Sequence, residues 1–237
     1  MPEDTAMDEA LLALLRRVDT PTVCNAIEVA QGRRGFEAFT RATPVASDPG
    51  APAMVGYART AAIRGSAPSE DPPEATRARR MAYFESMAEG PRPAVAVVED
   101  EDHPDCVGAW WGEVHAAVHK GLGLAGALTN GLVRDLGDLD EGFPVIAGGV
   151  GPSHRFVHVR AIGEPVNVLG LTVRQGDLVH ADRHGAVVVP PEVLPALGAA
   201  IERLFASERL VLGPARAEGF GIEALREAWA AFEKART

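Results

Sequence analysis

The sequence predicts an α/β domain, and three observations carry that prediction. Residues 94–98, 125–128 and 144–147 are short, wholly apolar segments separated by helical and turn-rich stretches, the spacing of parallel βαβ units. From Val157 onward the rhythm changes to short strands punctuated by turns. Helical patterns close both ends of the chain.

Taken in order, residues 7–18 read as a short amphipathic helix through Leu11, Leu12, Leu14 and Leu15. A second helix restarts with Thr20 as N-cap and Pro21 at its first position, and the turn from Gly32 to Gly35 ends it. Residues 40–52 read as loop, 54–63 as strand and 65–73 as loop. Residues 74–89 form a charged helix closed by Gly90-Pro91. The strand at 94–98 (AVAVV) is stopped by the acidic run 99–102; a helix at 112–120 leads to the strand at 125–128. Residues 130–138 read as a loop entering a short helix before the third apolar strand, 144–147. Strands follow at 166–168, 171–173, 178–181 and 186–189, with turns at Gln175-Gly176-Asp177 and Arg183-His184-Gly185. Pro190-Pro191 starts a long helix to about Ser207, and residues 220–234 form a last one. There, Leu225, Trp229 and Phe232 share a face for packing or subunit contact rather than a ligand. The expectation is a single domain over 1–237, with a core at about 20–208 and a C-terminal helical extension at 209–237.

Composition narrows the function. The 237 residues carry 23 Lys and Arg against 33 Asp and Glu, a net charge of −10. Such a surface repels phosphate backbones, so nucleic acid and anionic membranes are poor partners, while a divalent cation or a basic protein remains compatible. Two cysteines, Cys24 and Cys106, make neither a disulfide framework nor a four-sulfur zinc site, and both read as inert thiols. The N-terminal stretch is acidic where a signal peptide is basic, and no apolar run reaches the roughly 20 residues of a membrane span. A cytoplasmic protein is expected.

Three segments gather chemistry. Glu99-Asp100-Glu101-Asp102-His103-Pro104-Asp105 follows a buried strand at the position where open α/β sheets place ligands; it reads as a metal-binding loop or a solvated one. Trp110-Trp111-Gly112-Glu113-Val114-His115 starts a helix whose first turn offers unpaired amides to a carboxylate. Glu113 also suits that helix dipole without any catalytic role. His115 and His119 share a helix face but lack a zinc motif, which favours an ordinary exposed or partly buried histidine pair over a metal pair. Asn130-Gly131-Leu132-Val133-Arg134-Asp135 follows the second apolar strand. A guanidinium, a carboxylate and a helix N-terminus together suit an α-keto acid and a divalent cation. The lysines, Lys120 and Lys234, lie away from these segments, which disfavours Schiff-base chemistry. His180, His184, Asp177 and Asp182 read as strand and turn residues.

The stretch Gly112-Glu113, Gly126-Ala127-Leu128-Thr129-Asn130-Gly131, Val133-Arg134-Asp135 resembles the RraA-like family, whose enzymatic members are 4-hydroxy-4-methyl-2-oxoglutarate / 4-carboxy-4-hydroxy-2-oxoadipate aldolases. Gly142-Phe143-Pro144-Val145 and the run from Gln175 to Pro190 add to the resemblance, which is strongest over 94–190. It implies a three-layer α/β/β/α swivelling-domain fold and assembly as a homotrimer or homohexamer. It also implies a divalent metal cation, Mg²⁺ or Mn²⁺. By matched position, Asp135 would bind the metal and Arg134 the keto acid, and the turn Gly112, Glu113, Val114 and His115 would bind substrate through backbone amides. The implied activity is a class II type aldolase or lyase that releases pyruvate from a 4-hydroxy-2-oxo acid through a metal-stabilised enolate. Oxaloacetate decarboxylation passes through the same enolate. The general base stays open among a metal-bound water, Glu113, Asp100 and a neighbouring subunit's carboxylate. The alternatives are a non-catalytic regulator binding a protein partner such as a ribonuclease, and a related lyase for another oxo or sugar acid. Family members without the metal-binding Asp are not aldolases, so Asp135 favours an enzyme. The acidic run, the Trp110-Trp111 pair and residues 153–158 depart from the family pattern, which leaves the substrate's distal end unassigned.

Overall fold

The protein is described by a computed structural model over residues 7–236; the outermost residues of the expected single domain lie outside that range. The chain divides into two compact units. One holds the chain up to Pro21 and Glu37–Pro191, with every strand among the described residues; the other holds Thr22–Phe36 and the chain from Glu192 onward.

In chain order the elements are α1 (Glu9–Leu15), α2 (Thr20–Gln31), β1 (Val45–Ala46), β2 (Met54–Arg64), α3 (Pro73–Ala88) and β3 (Ala94–Asp100). β4 (Ala109–Trp111), α4 (Glu113–Gly121), β5 (Leu124–Thr129), β6 (Leu132–Val133), β7 (Val145–Ala147) and β8 (Gly149–Val150) follow. The remainder is β9 (His158–Ile162), β10 (Val166–Val168), β11 (Leu171–Val173), β12 (Leu178–Asp182), β13 (Gly185–Val189), α5 (Leu194–Ala215) and α6 (Ile222–Arg236).

The main sheet has eight strands in the order β1-β7-β5-β3-β2-β12-β13, with β9 also paired to β2. The pairs β2–β3, β3–β5 and β5–β7 are parallel, as the βαβ spacing predicts. The unbroken apolar run of β3 follows from burial on both faces. Ala94, Ala96 and Val98 enter one core with Tyr83, Met87, Trp111 and Phe143. Val95 and Val97 enter the other with Leu128, Ile146, Val168 and Leu171. Each buried Val or Leu contributes about 1.5–3 kcal/mol relative to exposure.

A second, three-stranded sheet in the order β4-β6-β8 positions the site. Each of β3, β5 and β7 leads on to one of its strands, so the small sheet repeats the parallel order of its parents. The joints are tight. Gly148 donates to the Gly131 carbonyl at 3.0 Å, and a Cβ on Gly148 would lie 2.1 Å from the Asn130 oxygen. Only glycine fits that crossing.

Several local expectations are corrected. Residues 130–138 do not enter a helix: Leu132–Val133 is a strand, because it pairs with Ala109 and Trp111 on one side and Gly149 and Val150 on the other. The acidic run does not stop β3 at once, since Glu99 and Asp100 stay in register with Ala62 and Ile63. The strands β1, β8 and β9 lacked an unbroken apolar run, and the three apolar residues of β4 (AWW) had been read as leading into a helix, so pairing creates all four. The Thr20 hydroxyl, expected to cap α2, is bonded instead to His180 Nδ1 at 3.1 Å, and its amide donates to Asp182 Oδ2 at 3.0 Å. The second unit's long helix starts after a 3₁₀ turn at Pro191–Val193 and runs past Ser207 to Ala215. Within that unit Trp229 and Phe232 line an open groove of about 950 Å³ with Arg33, Arg34 and Arg203.

Candidate active site

The site forms where β4 and β6 end side by side. The Arg134 amide donates to the Trp111 carbonyl at 2.9 Å, which extends the β4–β6 pairing and sets Gly112 beside Arg134 and Asp135. Gly112 is extended and caps α4 without a side chain; its carbonyl accepts from the Ala116 amide at 2.9 Å. The Glu113 amide donates to Asp135 Oδ2 at 3.1 Å, so a carboxylate sits on the positive end of α4. Asp135 holds φ at 57°, a left-handed conformation that Asp tolerates better than most residues, and this turns its side chain back toward the helix.

The approach is so close that Gly112 admits no side chain. A Cβ there would lie 2.4 Å from Asp135 Oδ2 and 3.0 Å from Arg134 Cγ and Nε. Arg134 Nε lies 3.7 Å from Asp135 Oδ2, an ionic contact too long for a hydrogen bond. That Nε is buried and has no hydrogen-bond partner; the same holds for Trp111 Nε1 and His115 Nδ1. Both Arg134 and Asp135 remain about one-third exposed, so the pair is reachable. Glu113 and Val114 are exposed and His115 is partly buried. The amides of Val114 and His115 lie in the first turn, where no intrahelical acceptor exists.

Behind this turn lies an aromatic wall. His119 is fully buried. Its Nε2 lies 2.7 Å from the Tyr83 hydroxyl and its Nδ1 lies 2.6 Å from the His115 carbonyl. With both nitrogens engaged, His119 has no lone pair for a metal. The sequence favoured an exposed or partly buried pair; His115 is partly buried, but His119 is fully buried because its ring fills the aromatic wall. Burial pushes the His119 pKa down to about 4. Burial, with the charges of His119, Arg80 and Arg134, pushes His115 down to about 3. Tyr83 had no local signal, because its partner is 36 residues away.

The acidic run is built differently. Asp102 Oδ2 accepts from the Gly65 and Ser66 amides at 2.7 and 2.8 Å, and Oδ1 accepts from the Ser66 hydroxyl at 2.7 Å. Burial alone would raise its pKa, but these donors and Arg64 hold it below the usual range. Glu101 pairs with Arg64 and Arg160, and Glu99 accepts from the Asn167 amide. Asp100 is buried among Asp102, Cys106, Asn130 and Gly131, and burial raises its pKa. Among the described residues no hydrogen bond or ion pair joins Asp100 to Arg134 or Asp135. Burial beside Asp100 pushes the Cys106 thiol up to about 12, so it is inert, as expected. Lys120 is committed to the Glu141 carbonyl and Asp140.

Among the described residues no group of three or more His, Cys, Asp or Glu is placed to hold a metal ion. Asp135 still fits a hard divalent cation of the kind that keeps its waters. Its Oδ1 is free of the Glu113 amide, which is bonded to Oδ2. Mg²⁺ is commonly held by one or two carboxylates, with water and ligand oxygens completing its shell.

The family model RraA-like (Aldolase/RraA) matches residues 20–188, well over half of the chain. The chain belongs to the RraA-like family. A Halalkalibacterium halodurans protein named as a putative 4-hydroxy-4-methyl-2-oxoglutarate aldolase is 28% identical over 112 residues, 46% of this chain and 52% of that protein. The chain spans between 17% and 52% of the length of the curated relatives it matches. An uncharacterized protein from Pseudomonas syringae pv. tomato superposes with a TM-score of 0.70 at 21% identity, covering 94% of this chain and 95% of that one. Streptomyces coelicolor RraAS2, described as an unusual member of the RNase ES inhibitor RraA protein family, gives 0.63 at 27% identity, covering 89% and 98%. The fold is the mixed α/β RraA fold that the resemblance implied. The RraA-like family includes both aldolases and non-catalytic RNase E inhibitors.

Proposed function

We propose that this RraA-like protein is a divalent-metal-dependent carbon–carbon lyase that releases pyruvate from a 4-hydroxy-2-oxo acid, with the site at Arg134, Asp135 and the Gly112–His115 turn. One observation supports this above the others. Gly112 brings a helix N-terminus against an Arg–Asp pair, and the Arg134 Nε is left without a hydrogen-bond partner. Asp135 also caps α4, but the unpartnered Arg134 Nε has no structural role of that kind, and the arrangement suits a small oxo acid.

Asp135 would hold Mg²⁺ or Mn²⁺, which when bound supplies a Lewis acid for the keto acid's oxygens. The Val114 and His115 amides bind the substrate carboxylate, and Arg134 neutralises its charge. As the C4 hydroxyl gives its proton to a base and C4 becomes a carbonyl, the C3–C4 bond breaks and its electron pair moves toward the keto oxygen. The enolate so formed takes a proton at C3 to leave as pyruvate. Arg134 is already in place to stabilise that developing charge, without reorganisation. Oxaloacetate, which loses CO₂ by the same electron movement, is a second substrate of this reading. The exposed Val114, Val118, Leu136 and Val150, near the site in sequence or pairing, suit burial against a neighbouring copy, and the homotrimer or homohexamer of this reading comes from the family resemblance.

A coupled pyruvate assay over a panel of 2-oxo acids, with and without Mg²⁺ or Mn²⁺, tests the proposal. Metal-dependent release is expected from the wild type and is lost in Arg134→Ala and Asp135→Ala, while circular dichroism stays native. Release that survives either substitution, or none from the wild type, removes the lyase reading and leaves the non-catalytic one.

A further inference from the structure

The groove of the second unit takes no part in the lyase site. It is built wholly within that unit, from the turn after α2, the middle of α5 and the end of α6. Its open volume of about 950 Å³ lies within the range of small-molecule sites, roughly 300–1,000 Å³. The RraA-like match ends at residue 188, so the α5 and α6 walls lie outside the matched family unit.

Three arginines line it. Gly32 and Gly35 take φ of 65° and 92°, which turns the chain sharply after α2 and sets Arg33 and Arg34 between them. Glu28 locks that turn. Its Oε1 accepts from the Gly35 and Phe36 amides at 3.0 and 3.4 Å, and its carbonyl accepts from the Arg33 amide at 3.2 Å. Arg203 is an exposed residue of α5, next to the buried Leu204. Among the described residues none of the three guanidinium groups makes an ion pair or a side-chain hydrogen bond. The groove also holds two carboxylates, Glu28 and Glu233, and both are bonded elsewhere: Glu28 to the turn amides, Glu233 to the Trp229 indole N–H at 3.1 Å. That last bond, with the Phe232 ring at 5.5 Å and 51°, fixes the indole. Trp229 is 49% exposed, whereas Trp110 and Trp111 are buried.

We propose that this groove binds a nucleoside diphosphate or triphosphate, with its base stacked on Trp229 and its phosphates held by Arg33, Arg34 and Arg203. A fixed, exposed indole beside unpaired guanidinium groups suits a ligand that joins a flat ring to several anionic oxygens. An inorganic anion leaves the indole unused, and an uncharged ring leaves the arginines unused. The net charge of −10 repels a long polyanion, which favours a single nucleotide over a nucleic acid. The groove shares no residue with the lyase site, so this inference stands or falls apart from that reading.

Calorimetric titration of the full chain with ADP, pyrophosphate, adenosine and a single-stranded RNA oligonucleotide tests the inference, alongside tryptophan fluorescence. ADP is expected to bind with a Kd below about 100 μM and to quench the emission of Trp229. Pyrophosphate and adenosine should each bind about tenfold more weakly or worse. Trp229→Ala and Arg203→Gln, both at exposed positions, should each weaken ADP by about tenfold with circular dichroism unchanged. Trp229→Phe should recover most of that affinity while losing the quench. Arg134→Ala should bind ADP as the wild type does, and Arg203→Gln should release pyruvate as the wild type does. Pyrophosphate that binds as tightly as ADP, RNA that binds more tightly, or ADP binding unmoved by both groove variants overturns the inference. ADP binding lost in Arg134→Ala places the nucleotide in the lyase site and overturns it too. Absence of ADP binding does the same, and a smaller assembly of Trp229→Glu in sedimentation then assigns the groove to a second copy of the chain. None of these outcomes bears on metal-dependent pyruvate release, which tests the lyase reading alone.

Discussion

The run that ends β3 and the turn that ends β6 both gather charge, and they use it in opposite ways. In the first, Asp102, Glu101 and Glu99 are each bonded to a backbone amide or a guanidinium, so the acidity closes loops and neutralises Arg64 and Arg160. In the second, a smaller number of charged atoms is held by a glycine and a helix end, and the Arg134 Nε, Trp111 Nε1 and His115 Nδ1 have no protein partner. A dense cluster of carboxylates is therefore the scaffold, and the sparse pair is the candidate site. Unpartnered buried atoms occur in both, Asp100 Oδ2 and Arg64 Nε in the first. What separates the regions is that the first commits its carboxylates to backbone amides and guanidinium groups, whereas the second leaves an Arg–Asp pair one-third exposed at a helix end.

The comparison can be broken most directly at Gly112. Gly112→Ala places a methyl group onto Asp135 Oδ2 and Arg134, and pyruvate release should fall by about 100-fold with the secondary structure retained by circular dichroism. Unchanged turnover would mean that the close approach has no catalytic purpose. Next comes the cation. Asp135→Asn should weaken Mn²⁺ binding, read by electron paramagnetic resonance, by about tenfold or more, while Glu99→Gln leaves it unchanged. The reverse order would move the metal to the acidic run.

Acid separates the two regions by their windows. His115 and His119 titrate at about 3 and about 4 in the folded protein, below the roughly 6.5 of an unfolded histidine. The unfolded chain therefore takes up protons first as pH falls. Stability is full above about pH 6.5 and should drop by more than about 2 kcal/mol as pH falls to about 4, read from urea midpoints. His119→Phe should flatten that limb. The depressed Asp102 carboxylate works in a lower window: its contribution is present above about pH 4, the range of an unfolded carboxylate, and is lost below it. The smallest effect belongs to the acidic run itself. Asp102→Ala should lower stability by about 1–3 kcal/mol through the unpaired Gly65 and Ser66 amides, with pyruvate release unaltered.

Much of this was legible along the chain. The parallel strands at 94–98, 125–128 and 144–147 were visible because strands buried on both faces need unbroken apolar side chains. The convergence of Gly112 with Arg134 and Asp135 was also expected, since both follow strands of one parallel set. The small sheet was not visible. Leu132–Val133 and Gly149–Val150 are two residues each, and only their neighbours' open hydrogen-bonding edges make them strands. The acidic run looked like a ligand site for a related reason: a carboxylate's partner cannot be read from its own segment, and Asp102's partners are 36 and 37 residues away.

By itself, then, the sequence determined what local periodicity and steric exclusion dictate: the apolar strands, the glycine at the head of α4, and the Arg–Asp pair after β6. Tertiary structure alone decided which polar groups are satisfied. Asp102 meets the Gly65 and Ser66 amides, Tyr83 meets His119, and Arg134 Nε meets no acceptor, because each outcome depends on distances between segments remote in the chain. Hydrogen bonds act over about 3 Å, and only the fold sets separations of that size between such residues.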